Sequence, residues 1–435
     1  MSATETTVHA AHHATAETLT PAAVRRNFWC FFADGAGFPL GLVFLSVSTI
    51  MPLFVSQLTH SRFLIGLVAS VFALGVNAPG LIGAHLAERL PRKKPLVVIL
   101  TALERLSIIG IVPATLLLAD RPGTLLAVFF IAWALFTLTL GVNFPGFSAL
   151  LGKSIPTTLR GRLGGWGAAT SGFFGFFGAL AATRLLEWQP FPHGFFWCFL
   201  IGNTFLVVSA FPIIFVREQA DVPAPLPAFH RFVRSAFDHF RQDRRLRWFV
   251  ISQAFYYFYW MGSAFYAVYA LDRFGASRTT VANFNVVQVA AAVIFGFVCG
   301  HLSDRFGNRA ILRLAMVAAV VAPVIALLAR NPIWLWGCFI CIGLMQTGGW
   351  FAPFNLLLEL APPRLAPTYT ALWRLLVVPA AAGSPLLAGL IVERFGYTPM
   401  FVIAAALPVV GLLALTKVPE PRKHAYAAVP LAMGE

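Results

Sequence analysis

Residues 300–309 read Gly300-His301-Leu302-Ser303-Asp304-Arg305-Phe306-Gly307-Asn308-Arg309. This short polar turn joins two stretches almost free of charge: 279–303 and 314–329 hold no Lys, Arg, Asp or Glu. A related turn, Ala84-His85-Leu86-Ala87-Glu88-Arg89-Leu90-Pro91-Arg92-Lys93, closes the uncharged run 63–87. At an offset of 216, His85/His301, Leu86/Leu302, Glu88/Asp304, Arg89/Arg305 and Lys93/Arg309 agree in type. A second register, offset 207, pairs Gly141 with Gly348, Phe144 with Phe351, Pro156 with Pro363 and Trp166 with Trp373. The matches fall at corresponding connections of the two halves. One unit has been duplicated, with both copies in the same orientation.

The surrounding composition says where such turns sit. The chain has 435 residues, 58% hydrophobic and 11% charged, with mean hydropathy +0.77. Soluble proteins are about 25% charged, so this chain lacks the polar side chains to cover a water-facing surface. Twelve runs contain no Lys, Arg, Asp or Glu: 35–61, 63–87, 106–119, 122–152, 163–183, 188–216, 248–271, 279–303, 314–329, 331–358, 375–392 and 395–416. The third and ninth are short, and extend back to about Leu96 and Ala310 to reach the ~20 residues a spanning helix needs. Backbone groups in lipid must bond internally, which makes these runs helices. They lack the ten-residue alternation of a membrane barrel. The fold class is all-α and polytopic: twelve transmembrane helices in two six-helix bundles related by a pseudo-twofold.

Basic residues set the orientation. With the N-terminus cytoplasmic, 23 of the 32 Lys and Arg fall on the cytoplasmic side and seven on the other, with Arg105 and Arg374 inside helices. Both ends are therefore expected in the cytoplasm, and the net charge of +15 reports topology and contact with anionic lipid heads rather than nucleic acid. The expected division is a disordered tail 1–24, an N-terminal bundle 25–216, a central cytoplasmic loop 217–247, a C-terminal bundle 248–418 and a tail 419–435. Residues 1–24 carry no signal peptide, and His9, His12 and His13 have no accompanying ligand cluster. Cys30, Cys198, Cys299, Cys338 and Cys341 lie in apolar runs and read as buried thiols. No metal site, cofactor motif, phosphate loop or nucleophile elbow stands in a water-exposed segment, which argues against an enzyme or an ATP-driven pump.

The turn at 300–309 resembles the cytoplasmic loop signature of the major facilitator superfamily, Gly-x-Leu-Ala-Asp-Arg-x-Gly-Arg-Lys. The resemblance is carried by Gly300, Leu302, Asp304, Arg305, Gly307 and Arg309, and the duplicated twelve-run pattern extends it over the whole chain. The first copy departs from it, with Ala84, Glu88 and Pro91 in place of Gly, Asp and Gly. The resemblance implies a secondary active transporter working by alternating access, with spans one, four, seven and ten lining a central cavity and three, six, nine and twelve peripheral. It implies gating at Glu88, Arg89, Gly300, Asp304, Arg305, Gly307 and Arg309. Physically, Gly allows a tight turn, and an acid facing a helix N-terminus can form a lock that breaks as the halves rock. A basic loop that only sets topology is the alternative.

Ionisable groups inside a span cost about 2.5–3.5 kcal/mol on insertion scales and mark functional candidates. Asp34 shares a face with Gly37 and Gly41 and is the leading proton-coupling candidate, followed by Glu104; a structural carboxylate is the alternative for Asp34. Glu104 and Arg105 are adjacent, point about 100° apart, and are expected to contact different partners, among them Asn77 or Asp34, as a structural inter-helix pair. Arg374 either binds an anionic group or pairs with Glu359. Cavity candidates are Asn143, Gln253, Tyr256, Tyr257, Trp260, Gln288, Gln346, Trp350, Asn355 and Arg374. Gly172, Gly175 and Gly178 read as close helix packing. The expected function is proton-coupled movement of a small organic solute across the inner membrane by a monomer, with export of an amphipathic or aromatic compound slightly favoured. Uptake, lipid-precursor translocation, a sensor or assembly factor without transport, and a facilitator without ion coupling remain the alternatives.

Overall fold

The computed structural model describes residues 20–220, 234, 237–238, 240–361 and 366–419, with some helical side chains in these ranges left undescribed. The described residues form helices and no strands, as lipid-immersed backbone requires. Among the described residues, ten helices are long and apolar enough to cross a membrane. The other two of the twelve spans are broken. The first consists of Pro21–Val43 and Ile50–Leu58, and the seventh of Arg244–Tyr256, Tyr259–Ser263 and Tyr266–Phe274. The first and seventh occupy equivalent places in the two halves, so the duplication extends to these interruptions.

The remaining spans are Arg62–Asn77 with Gly80–Arg89 (second), Lys94–Ile109 with Ile111–Leu117 (third), Pro122–Ser154 (fourth), Thr157–Trp188 (fifth) and His193–Ala210 (sixth). In the second half they are Arg278–Phe306 (eighth), Asn308–Leu328 (ninth), Leu335–Leu360 (tenth), Ala366–Phe395 (eleventh) and Tyr397–Leu415 (twelfth). The first helix begins at Pro21, inside the stretch read as a tail, capped by the Thr20 hydroxyl. The seventh span begins at Arg244, inside the stretch read as the central loop, where the Asp243 carboxylate accepts from the Arg245 and Leu246 amides at 2.7 and 3.2 Å. Residues 1–19 and 420–435 lie outside the described residues.

The signature turn has a direct geometric reading. Gly307 alone separates the eighth span from the ninth, at φ +83°. A side chain at that φ would be strained. The first copy has no such residue: its second span ends at Arg89 and its third starts at Lys94, so a longer link containing Pro91 replaces the single glycine.

Contacts repeat between the halves. The third span packs on the fourth as the ninth does on the tenth, the second on the fourth as the eighth on the tenth, and the first on the sixth as the seventh on the twelfth. Across the halves, the second span packs along the eleventh and the fifth along the eighth. Gly172 fits against Val293 of the eighth span, while Gly175 and Gly178 approach Val43 and Leu40 of the first, so that glycine series serves close packing. On the face away from the basic loops the halves are shut. Arg62 pairs with Asp272 at 2.6 Å, Tyr397 donates to the same carboxylate, and Glu393 accepts from the Ser61 hydroxyl at 2.9 Å and the Phe63 amide at 3.3 Å.

Candidate functional site

On the basic face the halves separate around a cavity of about 1320 Å³. Small-molecule sites usually occupy about 300–1,000 Å³, so this space accommodates an organic solute with water around it. Its wall is mainly apolar and aromatic, including Phe31, Phe38, Phe144, Phe147, Phe173 and Phe297. The charged lining residues, Asp34, Glu104, Arg105 and Arg160, all belong to the N-terminal half, where Asp34, Thr101, Glu104, Arg105 and Asn143 stand together.

These five side chains form one network. Asp34, Glu104 and Arg105 are 8%, 1% and 5% exposed. The Arg105 guanidinium donates to the Glu104 carboxylate, lies 3.5 Å from Asp34 Oδ1, donates from Nε to the Leu206 carbonyl at 2.9 Å, and covers the Phe38 ring at 4.3 Å. Asn143 Nδ2 donates to Thr101 Oγ1 at 2.9 Å and lies 3.4 Å from Glu104 Oε2. Two carboxylates share one guanidinium, so the ionised cluster carries one net negative charge in a place where an uncompensated charge is costly.

Two expectations are corrected here. The third span was expected to be peripheral, yet it supplies Thr101, Glu104 and Arg105 to the cavity wall. Glu104 and Arg105 were expected to reach different partners because adjacent Cβ vectors diverge. Instead they pair with each other as well, because both side chains are long enough to fold back across the ~100° between them. Arg105 does reach Asp34, whereas Asn77 donates to the Ala73 carbonyl of its own span. The Gly37–Gly41 groove beside Asp34 is filled by the sixth span: Gly37 abuts Ser209, and Gly41 abuts Gly202 and Leu206.

The other cavity candidates divide. Gln346 and Asn355 line the cavity and are exposed to it. Gln253, Tyr256, Tyr257, Trp260 and Gln288 are not part of its wall. Gln253 is fully buried with neither amide atom bonded. Tyr256 donates to the Met345 carbonyl at 3.3 Å, Tyr257 packs on Ala73, Ala381 and Ala382, and Trp260 meets Phe72 at 6.2 Å between ring centres. Gln288 accepts from the Ser48 hydroxyl at 2.8 Å, inside the break of the first span, and Asn285 donates to Val43 O at 3.2 Å. The seventh-span aromatics thus belong to the closed side of the molecule in this conformation. The Arg374 guanidinium lies 4.6 Å from the centre of the Phe144 ring, a contact between the halves. Trp350 lies outside the described side chains.

At the basic face, Arg89 and Arg305 are exposed, and Arg305 lies over Phe306 at 5.3 Å. Arg309 donates to the Thr416 carbonyl at 3.1 Å. Glu88, Gly300 and Asp304 lie outside the described side chains. Next to them Ser303 donates to Asn308 Oδ1 at 2.8 Å, and Asn308 Nδ2 to Glu359 at 2.9 Å, tying spans eight, nine and ten together. In the first half a residue missed in the sequence holds the corresponding place. Glu218 accepts from the Lys93 and Lys94 amides, each at 2.7 Å, and from Lys153 Nζ at 3.0 Å. It places a carboxylate at the third span's N-terminus, where the helix dipole favours it. Nothing in the sequence flagged it, because its partners are 65 to 125 residues away.

A duplicated bundle of twelve spans, closed on one face and open on the other around a cavity, is the architecture of a membrane-transporter fold. The family model for the Major Facilitator Superfamily matches residues 33–277 and 249–432, and the chain belongs to that family. Among curated proteins it is similar to the uncharacterised MFS-type transporters YfnC and YfkF of Bacillus subtilis (strain 168). It is 27% identical to YfnC over 34% of this chain and 36% of the relative, and 30% identical to YfkF over 23% and 26%. The matched stretches thus span about a third or less of those relatives' own length. Among solved structures it resembles a POT family transporter, PepTSo (TM-score 0.69, 13% identity, 95% of this chain and 100% of that chain). It also resembles a D-xylose-proton symporter (TM-score 0.66, 14% identity, 93% and 99%). At these identities the likeness is one of fold.

Proposed function

We propose that this protein is a proton-coupled secondary transporter that moves a small amphipathic or aromatic organic solute across the inner membrane by alternating access. Export is favoured over uptake. The observation that carries the reading is the buried Asp34–Arg105–Glu104–Asn143 network on the cavity wall. Two carboxylates around one arginine leave one negative charge that a proton neutralises without dismantling the cluster. The six phenylalanines of the wall suit an aromatic or apolar solute body. In this scheme Asp34 and Glu104 exchange protons, and Asn143, Gln346 and Asn355 meet the solute. The cytoplasmic signature residues Glu88, Arg89, Asp304, Arg305 and Arg309 lock the basic face when the halves rock. The division into bundles 25–216 and 248–418 gives the rocking bodies. The basic face lies in the cytoplasm with both termini, against anionic lipid heads, and the protein works as a monomer.

A thermal-shift screen of purified protein against aromatic and amphipathic compounds identifies the solute, since binding stabilises by mass action. Flux of that compound in proteoliposomes, with and without a pH gradient, then tests coupling. Gradient-driven flux should disappear in Asp34→Asn. Flux indifferent to the gradient in the parent protein overturns proton coupling, and binding without flux favours a sensor of the same fold.

A further inference from the structure

Asn143 stands between a titratable group and the cavity, and its amide is only half used. Nδ2 reaches both Thr101 Oγ1 at 2.9 Å and Glu104 Oε2 at 3.4 Å. Oδ1 is buried and has no hydrogen-bond donor. The side chain is 5% exposed and belongs to the cavity wall. Buried amide oxygens are nearly always satisfied, so an orphan here points to a donor that arrives with a ligand.

We propose that Asn143 is a solute-contacting residue whose amide turns over when Glu104 takes up a proton, and that this turn reports the proton to the solute. The proposal rests on the proton-coupled reading above. With Glu104 ionised, the carboxylate only accepts, so the amide must present Nδ2 to it. Oδ1 is then the end left for a solute, and it selects an N–H or O–H donor. When a proton from cavity water settles on Glu104 Oε2, that oxygen becomes a donor and needs an acceptor. A half-turn of the amide brings Oδ1 to it and sends Nδ2 to the other side. Thr101 tolerates both states, because a hydroxyl accepts in the first and donates in the second. Thr101 and Glu104, three residues apart, share one face of the third span, so a single amide reaches both. The charged groups around Glu104 are Arg105 beside it and Asp34 on the first span; the fourth span contributes Asn143, and the sixth contributes the Leu206 carbonyl and Ser209. None of these has to move for the amide to turn. The consequence is exchange. A solute bearing an ammonium group, which only donates, binds the deprotonated cluster and is expelled by the proton, because its donor then meets Nδ2.

The test needs no solute. Protein labelled with carbon-13 at asparagine side-chain carbonyls is reconstituted and titrated by infrared difference spectroscopy. A carboxyl band should appear at acid pH and be lost in Glu104→Gln. One label-sensitive amide carbonyl band should shift to lower frequency with the same midpoint, and should be absent in Asn143→Leu. Should Asn143→Leu not fold, the isotope shift in the parent protein and the Glu104→Gln control still decide the matter. A Glu104 carboxyl band with no asparagine band following it overturns the amide switch and leaves proton coupling standing. The absence of any Glu104 carboxyl band also overturns the amide switch, and proton coupling then rests on Asp34 and is decided by the flux of Asp34→Asn.

Discussion

Removing Arg105 should damage the protein through the two acids it leaves behind, and neutralising those acids should repair most of the damage. In Arg105→Leu, Asp34 and Glu104 lose their only cation within the network. At 3.5 Å and an effective dielectric constant of about 20, the Arg105–Asp34 attraction alone is about 5 kcal/mol before desolvation is counted. Breaking a buried pair by deleting one member costs about 3–5 kcal/mol, since a buried charge is left uncompensated. At ~1–2 °C per kcal/mol for a chain of this size, the thermal midpoint in detergent should fall by about 5 °C. The triple variant Asp34→Asn, Glu104→Gln, Arg105→Leu has no buried charge in the cluster and should recover most of that loss. It still lacks the Arg105 hydrogen bond to Leu206 O, worth about 1 kcal/mol, so recovery should stop just short of the parent. The assay is intrinsic-fluorescence unfolding of the purified variants at one pH. If the triple variant melts no higher than Arg105→Leu, the charges are not what Arg105 serves, and the electrostatic account of the cluster is wrong.

Two further outcomes follow from the closed face and the basic face. A Cβ on Gly66 would sit 2.2 Å from the Pro385 carbonyl oxygen of the eleventh span, so Gly66→Ala should weaken closure of the face away from the basic loops. A cysteine at Ala270, fully buried in this conformation, should then react several-fold faster with an impermeant maleimide added on that side. An unchanged rate means that this contact does not hold the face shut. Asn27 is fully buried, accepts from the Arg217 amide at 2.8 Å and donates to the Arg217 carbonyl at 2.9 Å. Asn27→Ala leaves both groups without this partner and should cost about 2–3 kcal/mol, read as a lower thermal midpoint that a substitution at exposed Arg92 does not produce.

The duplicated turn and the charge-free runs determined the fold, because lipid leaves a long apolar segment no option but a helix and the repeat states how the helices are grouped. The requirement for Gly307 was legible in the same way, since only glycine accepts its φ without strain. Asp34, Glu104, Arg105 and Asn143 were each legible as polar groups set in apolar spans. Their association was not. Sequence periodicity gives the direction of a Cβ, and it put Glu104 and Arg105 about 100° apart. The reach of two flexible side chains, and the position of the first and fourth spans against the third, closed that gap.

The same limit explains the seventh span. Its tyrosines and tryptophan read as a cavity wall because polar aromatics in a span look like ligand contacts. Tertiary packing turned them into the closed half of the molecule, and the breaks at 257–258 and 264–265 carry no proline to announce them. Glu218 shows the long-range part of the problem, since its value lies in meeting a helix start 125 residues earlier. The sequence alone determined the number of spans and their duplication, which depend on local hydropathy and its repeat. Only the tertiary structure decided which polar residues share a site, which face is shut and that the Asn143 amide oxygen lies buried without a donor. Those depend on distances between segments remote in the chain.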